Sequence, residues 1–152
     1  MIEAPFSPST ASRPLGRAPA SMHAGLGPAV LVRRRDGMTL TAAINYAHSL
    51  HSLRRFDEAK SLLRKMVPVA RRVVGEGHEL TLKMRKIYAE ALYRSLYSDA
   101  GATLDDLREA VSTLAEIEQT ARRVLGGAHP LTSSMELSLQ DARAALAARE
   151  AA

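Results

Sequence analysis

A twelve-residue string occurs twice in this chain: ARRVVGEGHELT at residues 70–81 and ARRVLGGAHPLT at residues 121–132, identical at eight positions. Two copies at matching places in a period must solve the same structural problem, so repetition constrains the fold more than any single motif does. The repetition extends outward from both copies. Thr39-Leu40 returns as Thr81-Leu82, 42 residues later, and Tyr46, Ala47 and Leu50 return as Tyr88, Ala89 and Leu92. Glu58-Ala59 and Leu63 return as Glu109-Ala110 and Leu114 at the 51-residue spacing of the long string. The nine-residue difference fits an insertion in YSDAGATL, so the unit is about 42 residues with a loop that accepts extra length.

Within each unit the apolar residues recur at spacings of three and four, which lays them on one side of a helix. In the first, Ala43, Tyr46, Ala47, Leu50 and Leu53 form such a stripe, the chain turns at LRRF, and Phe56, Ala59, Leu63, Met66, Ala70 and Val73 form a second. Gly75 and Gly77 are expected to cap that helix at its C-terminus. Pro68 lies inside it and should kink or locally break it. The second unit repeats the plan: Met84, Ile87, Tyr88, Ala91 and Leu92 on one helix, a loop SDAGAT carrying Asp99 and Gly101, then Leu107, Ala110, Leu114, Ile117, Ala121 and Val124 on the next. Thr103 is placed to cap that helix, with Asp106 at the capping-box position. GGAHP stops it, and an Ala-rich helix over about 130–149 ends the chain. The expectation is an all-α repeat domain over 38–152, with hairpins at about 38–75 and 79–126 and a terminal helix.

Composition agrees, since six aromatic residues and no Trp leave the core to Leu, Ala, Val, Ile and Met, the set that packs helices. The absence of cysteine excludes a disulfide framework and a thiolate zinc site. No run approaches the roughly 18 apolar residues a membrane span requires, so no membrane partner is expected. Residues 1–37 hold five Pro among Ser, Ala, Gly and Arg without an apolar period, and read as disordered. Rich in Arg and Ser and poor in acids, they also have the composition of an organelle transit peptide; an unstructured tail, or a start at Met22 or Met38, are the alternatives. The localisation expected is cytoplasmic, or organellar if that segment is a targeting peptide.

The net charge of +5 does not point to nucleic acid, because residues 38–152 carry sixteen Lys and Arg against fourteen acids, without a single-sign face. The Arg pairs at 71–72 and 122–123 sit near helix C-termini, where positive charge complements the helix dipole. His78 and His129 stand one repeat apart with no second His near either, so a structural corner is expected there, the imidazole bonding free carbonyls or capping the next helix. A phosphate loop would want a strand before the glycines and a Lys after them. His48 and His51 share a helical face, but a metal needs a further ligand, and a solvated groove face is the expected reading. Asp57-Glu58 and Asp105-Asp106 stand at helix starts, and no nucleophile, base and orienting group sit at recognisable spacing. Neither catalytic residues nor a metal or cofactor are expected.

The segment Asn45–Leu82, with its Asn-x-Ala first helix, its aromatic-Asp-Glu-Ala start to the second and its Arg-Val-Val-Gly, His and Thr-Leu corner, resembles tetratricopeptide repeats of the kinesin-light-chain type. The likeness runs over roughly residues 39–149. It implies an α-solenoid of about two and a half helical hairpins, whose first helices line a concave groove, and a partner that is a protein or an extended peptide. Carried over by position, Thr41, Ile44, Asn45, His48, His51 and Ser52 would face that groove, followed by Lys83, Lys86, Glu90, Tyr93 and Arg94. Lys83, Lys86 and Arg94 would form a basic strip for carboxylates, with Asn45 pairing to peptide backbone. An array this short also suggests a homo-oligomer, or a fragment of a longer scaffold.

Overall fold

A computed structural model describes residues 28–98 and 101–152, with side chains described from residue 36 onward. The described residues form five α-helices: α1 (Pro28–Ser52), α2 (Phe56–Val73), α3 (Glu79–Arg94), α4 (Leu104–Val124) and α5 (Pro130–Glu150). A 3-10 turn, Ser95–Tyr97, follows α3, and no strand occurs among the described residues. The described residues are therefore all-α and repeat-like, each helix packed on its neighbour in sequence.

α1 begins ten residues before the expected start at Met38. Pro28 is the first helical residue, a position where its missing N–H is no loss and its fixed φ suits the helix. From there to Arg35 the chain contains no glycine and no further proline to stop it, and Gly37 is absorbed inside the helix. Residues 28–37 of the segment expected to be disordered are thus helical, while residues 1–27 lie outside the described residues. The buried stripe of α1 is Leu40, Ile44, Ala47 and Leu50. Tyr46 and Leu53, expected in the core, are 54% and 66% exposed, and Ile44, expected in the groove, is buried. The reason is that residues 37–53 contain no Asp, Glu, Lys or Arg, so no charged side of the helix marks which of its apolar stripes faces inward.

α2 buries Phe56, Ala59, Leu63 and Ala70 as its spacing dictates. It runs unbroken through Pro68, which stands on the solvent side, so the expected break is absent. α4 buries Leu107, Ala110, Leu114, Ile117 and Ala121, whereas Val124 is 53% exposed. Its start is a reciprocal cap: Asp106 N donates to Thr103 Oγ1 at 3.1 Å and Thr103 N to Asp106 Oδ2 at 2.9 Å. In the loop before it, Asp99 lies outside the described residues.

α3 is the centre of the molecule and touches all four other helices. Its Met84 and Ile87 join Leu40, Ile44, Ala47, Leu63 and Ala70 in one core, and Leu82, Ala89, Leu92 and Tyr93 join α4 and α5 in another. With both flanks covered, even Thr81, Arg85 and Glu90 are buried.

The repeated string builds the same corner twice. Gly75 and Gly126 have φ of 99° and 94°, a conformation glycine adopts without steric cost, and end α2 and α4. His78 Nδ1 accepts from Leu80 N at 3.1 Å and His129 Nδ1 from Leu131 N at 3.1 Å, so each imidazole caps the next helix. Thr81 Oγ1 then donates to Gly75 O at 2.7 Å and Thr132 Oγ1 to Gly126 O at 2.9 Å. Gly77 has a different role from the cap expected of it: a Cβ there would lie 3.3 Å from Val124 Cγ2, so it is small because α4 passes close by. In the first corner the buried Arg85 also reaches Glu76 at 2.5 Å and, across to α4, Glu116 at 2.8 Å.

Candidate binding groove

α1 and α3 are the first helices of the two repeated units, α5 follows the second repeated corner, and α3 contacts both α1 and α5. Between them lies an open cleft of about 730 Å3. His51 and Ser52 line it from α1, Tyr93 and Arg94 from α3, and Asp141, Ala144, Ala145 and Ala148 from α5. Arg54, Phe56 and Tyr97 also line it, and the Arg54 guanidinium donates to the Tyr97 carbonyl and so ties the first hairpin turn to the 3-10 turn after α3. Arg54 itself has φ of 60° and completes the turn after α1, with Arg55 N donating to Leu50 O at 2.8 Å.

Of the residues expected to line a groove, His51, Ser52, Tyr93 and Arg94 meet in this cleft. Glu90 lies just beneath it, buried, and accepts from Lys86 Nζ at 2.5 Å and from Ser138 Oγ of α5 at 2.6 Å. Lys83 turns to Glu79 at 2.9 Å. The expected basic strip is therefore largely neutralised within α3 itself, because a Glu four residues along the same helix face reaches each lysine. Arg94 differs: among the described residues no carboxylate lies within ion-pair distance of it, and its Nε donates to Tyr93 Oη at 3.4 Å. Asn45 opens onto a separate depression of about 520 Å3 with Gly37, Met38, Thr41, Ala42 and Leu80, and His48 is exposed on α1.

His51 carries the least satisfied polar group. Its Nε2 is the only buried side-chain nitrogen or oxygen among the described residues without a hydrogen-bond partner. The ring stands edge-on to Phe56, centroids 5.2 Å apart. Burial lowers its pKa, assisted by Arg94, His48 and Lys86 and opposed by Glu90. Burial alone would raise the Glu90 carboxyl, but Lys86 beside it, the Ser138 hydroxyl and Arg94 together hold it below the ordinary carboxylate value. Burial raises the Tyr93 hydroxyl, against the Arg94 contact that lowers it. Among the described residues no three His, Asp or Glu side chains are grouped closely enough to hold a metal ion, and His48 and His51 have no third ligand.

The wall from α5 was not foreseen from the sequence. A signal for it exists, because the 51-residue spacing that carries Thr81 onto Thr132 also carries Glu90 onto Asp141. Read as a third copy of the unit's first helix, α5 would have supplied Asp141 to the same face as Glu90. Arg54 and Phe56 had no such signal, since only the packing of the hairpin turn brings them against α3.

On the outer side, Arg64 Nε donates to Tyr88 Oη at 3.2 Å and Tyr88 Oη to Glu109 Oε1 at 2.8 Å, a chain linking α2, α3 and α4. It borders a smaller depression of about 250 Å3 with Pro68 and Arg85, and every polar group in that chain is partnered. No helix among the described residues is long and apolar enough to cross a membrane. Comparison of the chain with family models, with curated proteins and with solved structures found no match.

Proposed function

We propose that the chain is a non-catalytic interaction module of the tetratricopeptide kind, which holds an extended peptide or a segment of a partner protein in the cleft between α1, α3 and α5. The observation that supports this reading is the unpartnered, buried Nε2 of His51 at the edge of a cleft walled by three separate helices. Buried polar atoms in folded proteins are nearly always paired, so an unpaired one beside a cleft calls for a ligand group to complete it. Around it stand Arg94, which makes no ion pair within 4 Å among the described residues, Arg54, which is held by the Tyr97 carbonyl, an exposed anion, Asp141, and the apolar Ala144, Ala145 and Ala148. Such a mixture suits a peptide better than a phosphate backbone, which would ask for several free cations. The repeated corners, the 42-residue unit and the adjacency of α1, α3 and α5 favour the likeness to the kinesin-light-chain repeats, and with it a scaffold role. A cytoplasmic site of action follows from that role, or an organellar one if residues 1–37 direct import.

The test is binding of the full chain to an arrayed library of peptides, repeated with Arg94→Glu and with Asp141→Arg. These two side chains stand at the cleft but not in the core, so the fold should survive while the set of retained peptides changes, acidic ones being lost from the first variant and basic ones from the second. If both variants retain the same peptides at the same strength as the wild type, the cleft is not the binding surface.

A further inference from the structure

We propose that α1 pairs with α1 of a second copy of this chain, antiparallel and about a two-fold axis near Tyr46. The interface is the face of α1 directed away from its own core, carrying Met38, Ala42, Tyr46 and Ser49 and continued by Leu53 in the turn that follows. Met38, Tyr46 and Leu53 are three of the six large apolar side chains exposed on the described surface, at 75%, 54% and 66%. Ser49 turns its hydroxyl inward, donating to Asn45 O at 3.0 Å, so it presents no unmet polar group.

The repeat itself shows what such a face is for. The 42-residue spacing carries Met38, Ala42, Tyr46 and Ser49 onto Leu80, Met84, Tyr88 and Ala91 of α3. Those four residues pack α3 onto the preceding hairpin. α1 therefore presents, to solvent, the surface that α3 uses to dock. It is also devoid of charge: residues 37–53 hold no Asp, Glu, Lys or Arg, although such residues make up 24% of the chain. Helices that end in water normally carry charge on their outer side.

The other end of the molecule is built differently. The residues of α3 that dock the following helices are Leu82, Ala89, Leu92 and Tyr93. The 51-residue spacing places Ser133, Gln140, Arg143 and Ala144 at the equivalent positions of α5, all exposed. One end is thus finished with polar and small side chains and the other is left apolar. The other exposed large apolar side chains, Tyr97, Val124 and Leu137, stand singly on different elements, so among the described residues the stripe beginning at Met38 is the continuous apolar face, and a closed solution open to a self-complementary stripe is an isologous pair.

The stripe fits that solution. Met38 lies eight residues before Tyr46 and Leu53 seven after, with Ala42 and Ser49 four before and three after. Turned about an axis between Asn45 and Tyr46, the stripe falls on itself with Met38 against Leu53 and Ala42 against Ser49 of the second copy. From Met38 to Leu53 the seam is fifteen helical residues and one turn residue, about 22 Å long, at the lower end of what supports a specific interface.

Because the chain has no cysteine, introduced thiols report the geometry directly. In the full chain, Tyr46→Cys should form a disulfide-linked dimer on mild oxidation, and Leu137→Cys, on the exposed outer side of α5, should not. Met38→Cys and Leu53→Cys should each stay unlinked alone and link to one another when mixed. In sedimentation the wild type should be dimeric at about 100 µM, and Tyr46→Glu, at an exposed position with the helical circular-dichroism signal retained, should be monomeric. A wild type that is monomeric at that concentration overturns the proposal, as does linkage of Leu137→Cys as fast as Tyr46→Cys. Linkage of Met38→Cys to itself in preference to Leu53→Cys shows a parallel pairing and overturns the antiparallel one.

Discussion

The corner at Gly75–Thr81 and the cleft at His51–Arg94 contain the same kinds of residue, and they differ in whether those residues have partners. In the corner, each polar group that the repeated string supplies is used locally: His78 caps α3, Thr81 closes onto the Gly75 carbonyl, and Glu76 takes the buried Arg85. The second corner repeats the histidine and threonine bonds with His129 and Thr132. In the cleft, His51 Nε2 is buried without a hydrogen-bond partner, and Arg94, although in the field of Glu90 and Asp141, makes no ion pair within 4 Å among the described residues. Saturated polar groups hold a fold together, and unsaturated ones are available to something else. A histidine is therefore not informative by its type, only by what its ring nitrogens touch.

Three measurements can break or sharpen that contrast. The largest effect is expected from Arg85→Ala. Arg85 is 5% exposed and bridges the first corner to α4 through Glu76 and Glu116. Its loss removes a buried stem and two charged hydrogen bonds, but both carboxylates are exposed enough to be rehydrated, so a destabilisation of about 2–3 kcal/mol is expected in urea unfolding. A change below about 0.5 kcal/mol would mean that the corner does not depend on this network.

A smaller effect is expected from His78→Ala and His129→Ala. Each removes one N-cap acceptor, worth about 1 kcal/mol, and because the two corners share the same bond at the same length the two losses should match and add. Peptide retention should be unchanged in both. A loss of binding without a loss of stability would make these histidines part of the recognition surface and dissolve the contrast.

The smallest effect concerns His51. Its folded pKa is depressed, so the unfolded chain takes up a proton that the folded chain resists. The associated stability is fully present above the ordinary value of 6.5 and is lost as pH falls through the lowered folded value. Between about pH 7.5 and about pH 5.5 the urea midpoint of the wild type should drop further than that of His51→Leu. Parallel curves for the two proteins would show that His51 does not titrate under the strain of burial.

Much of the helical plan could be read from residue order. The stripes of α2 and α4 were legible because charged residues flank them: Phe56, Ala59, Leu63 and Ala70 alternate with Asp57, Glu58, Lys60, Arg64 and Lys65, and only one side can face inward. α1 was misread for the opposite reason. With no charge between Gly37 and Leu53, the stripe through Tyr46 and Leu53 and the stripe through Leu40 and Ile44 are equally apolar, and only the position of α2 and α3 selects the second. In α3 the expected groove residues Glu90 and Tyr93 are buried because α5 lies across them, and nothing within residues 79–94 announces a helix that arrives some forty positions later.

The order of residues by itself determined the local elements: where helices stop at Gly75 and Gly126, where they restart at His78 and His129, how Thr103 and Asp106 cap α4, and that the unit recurs. These depend on backbone conformation and on hydrogen bonds spanning a few residues, which short strings encode completely. The tertiary structure decided which faces were covered. Arg85 of α3 paired with Glu116 of α4, Asp141 joined Tyr93 and Arg94 at one cleft, and His51 Nε2 lost water without gaining a partner. Burial and pairing are set by neighbours distant in sequence, so they exist only once the helices have packed.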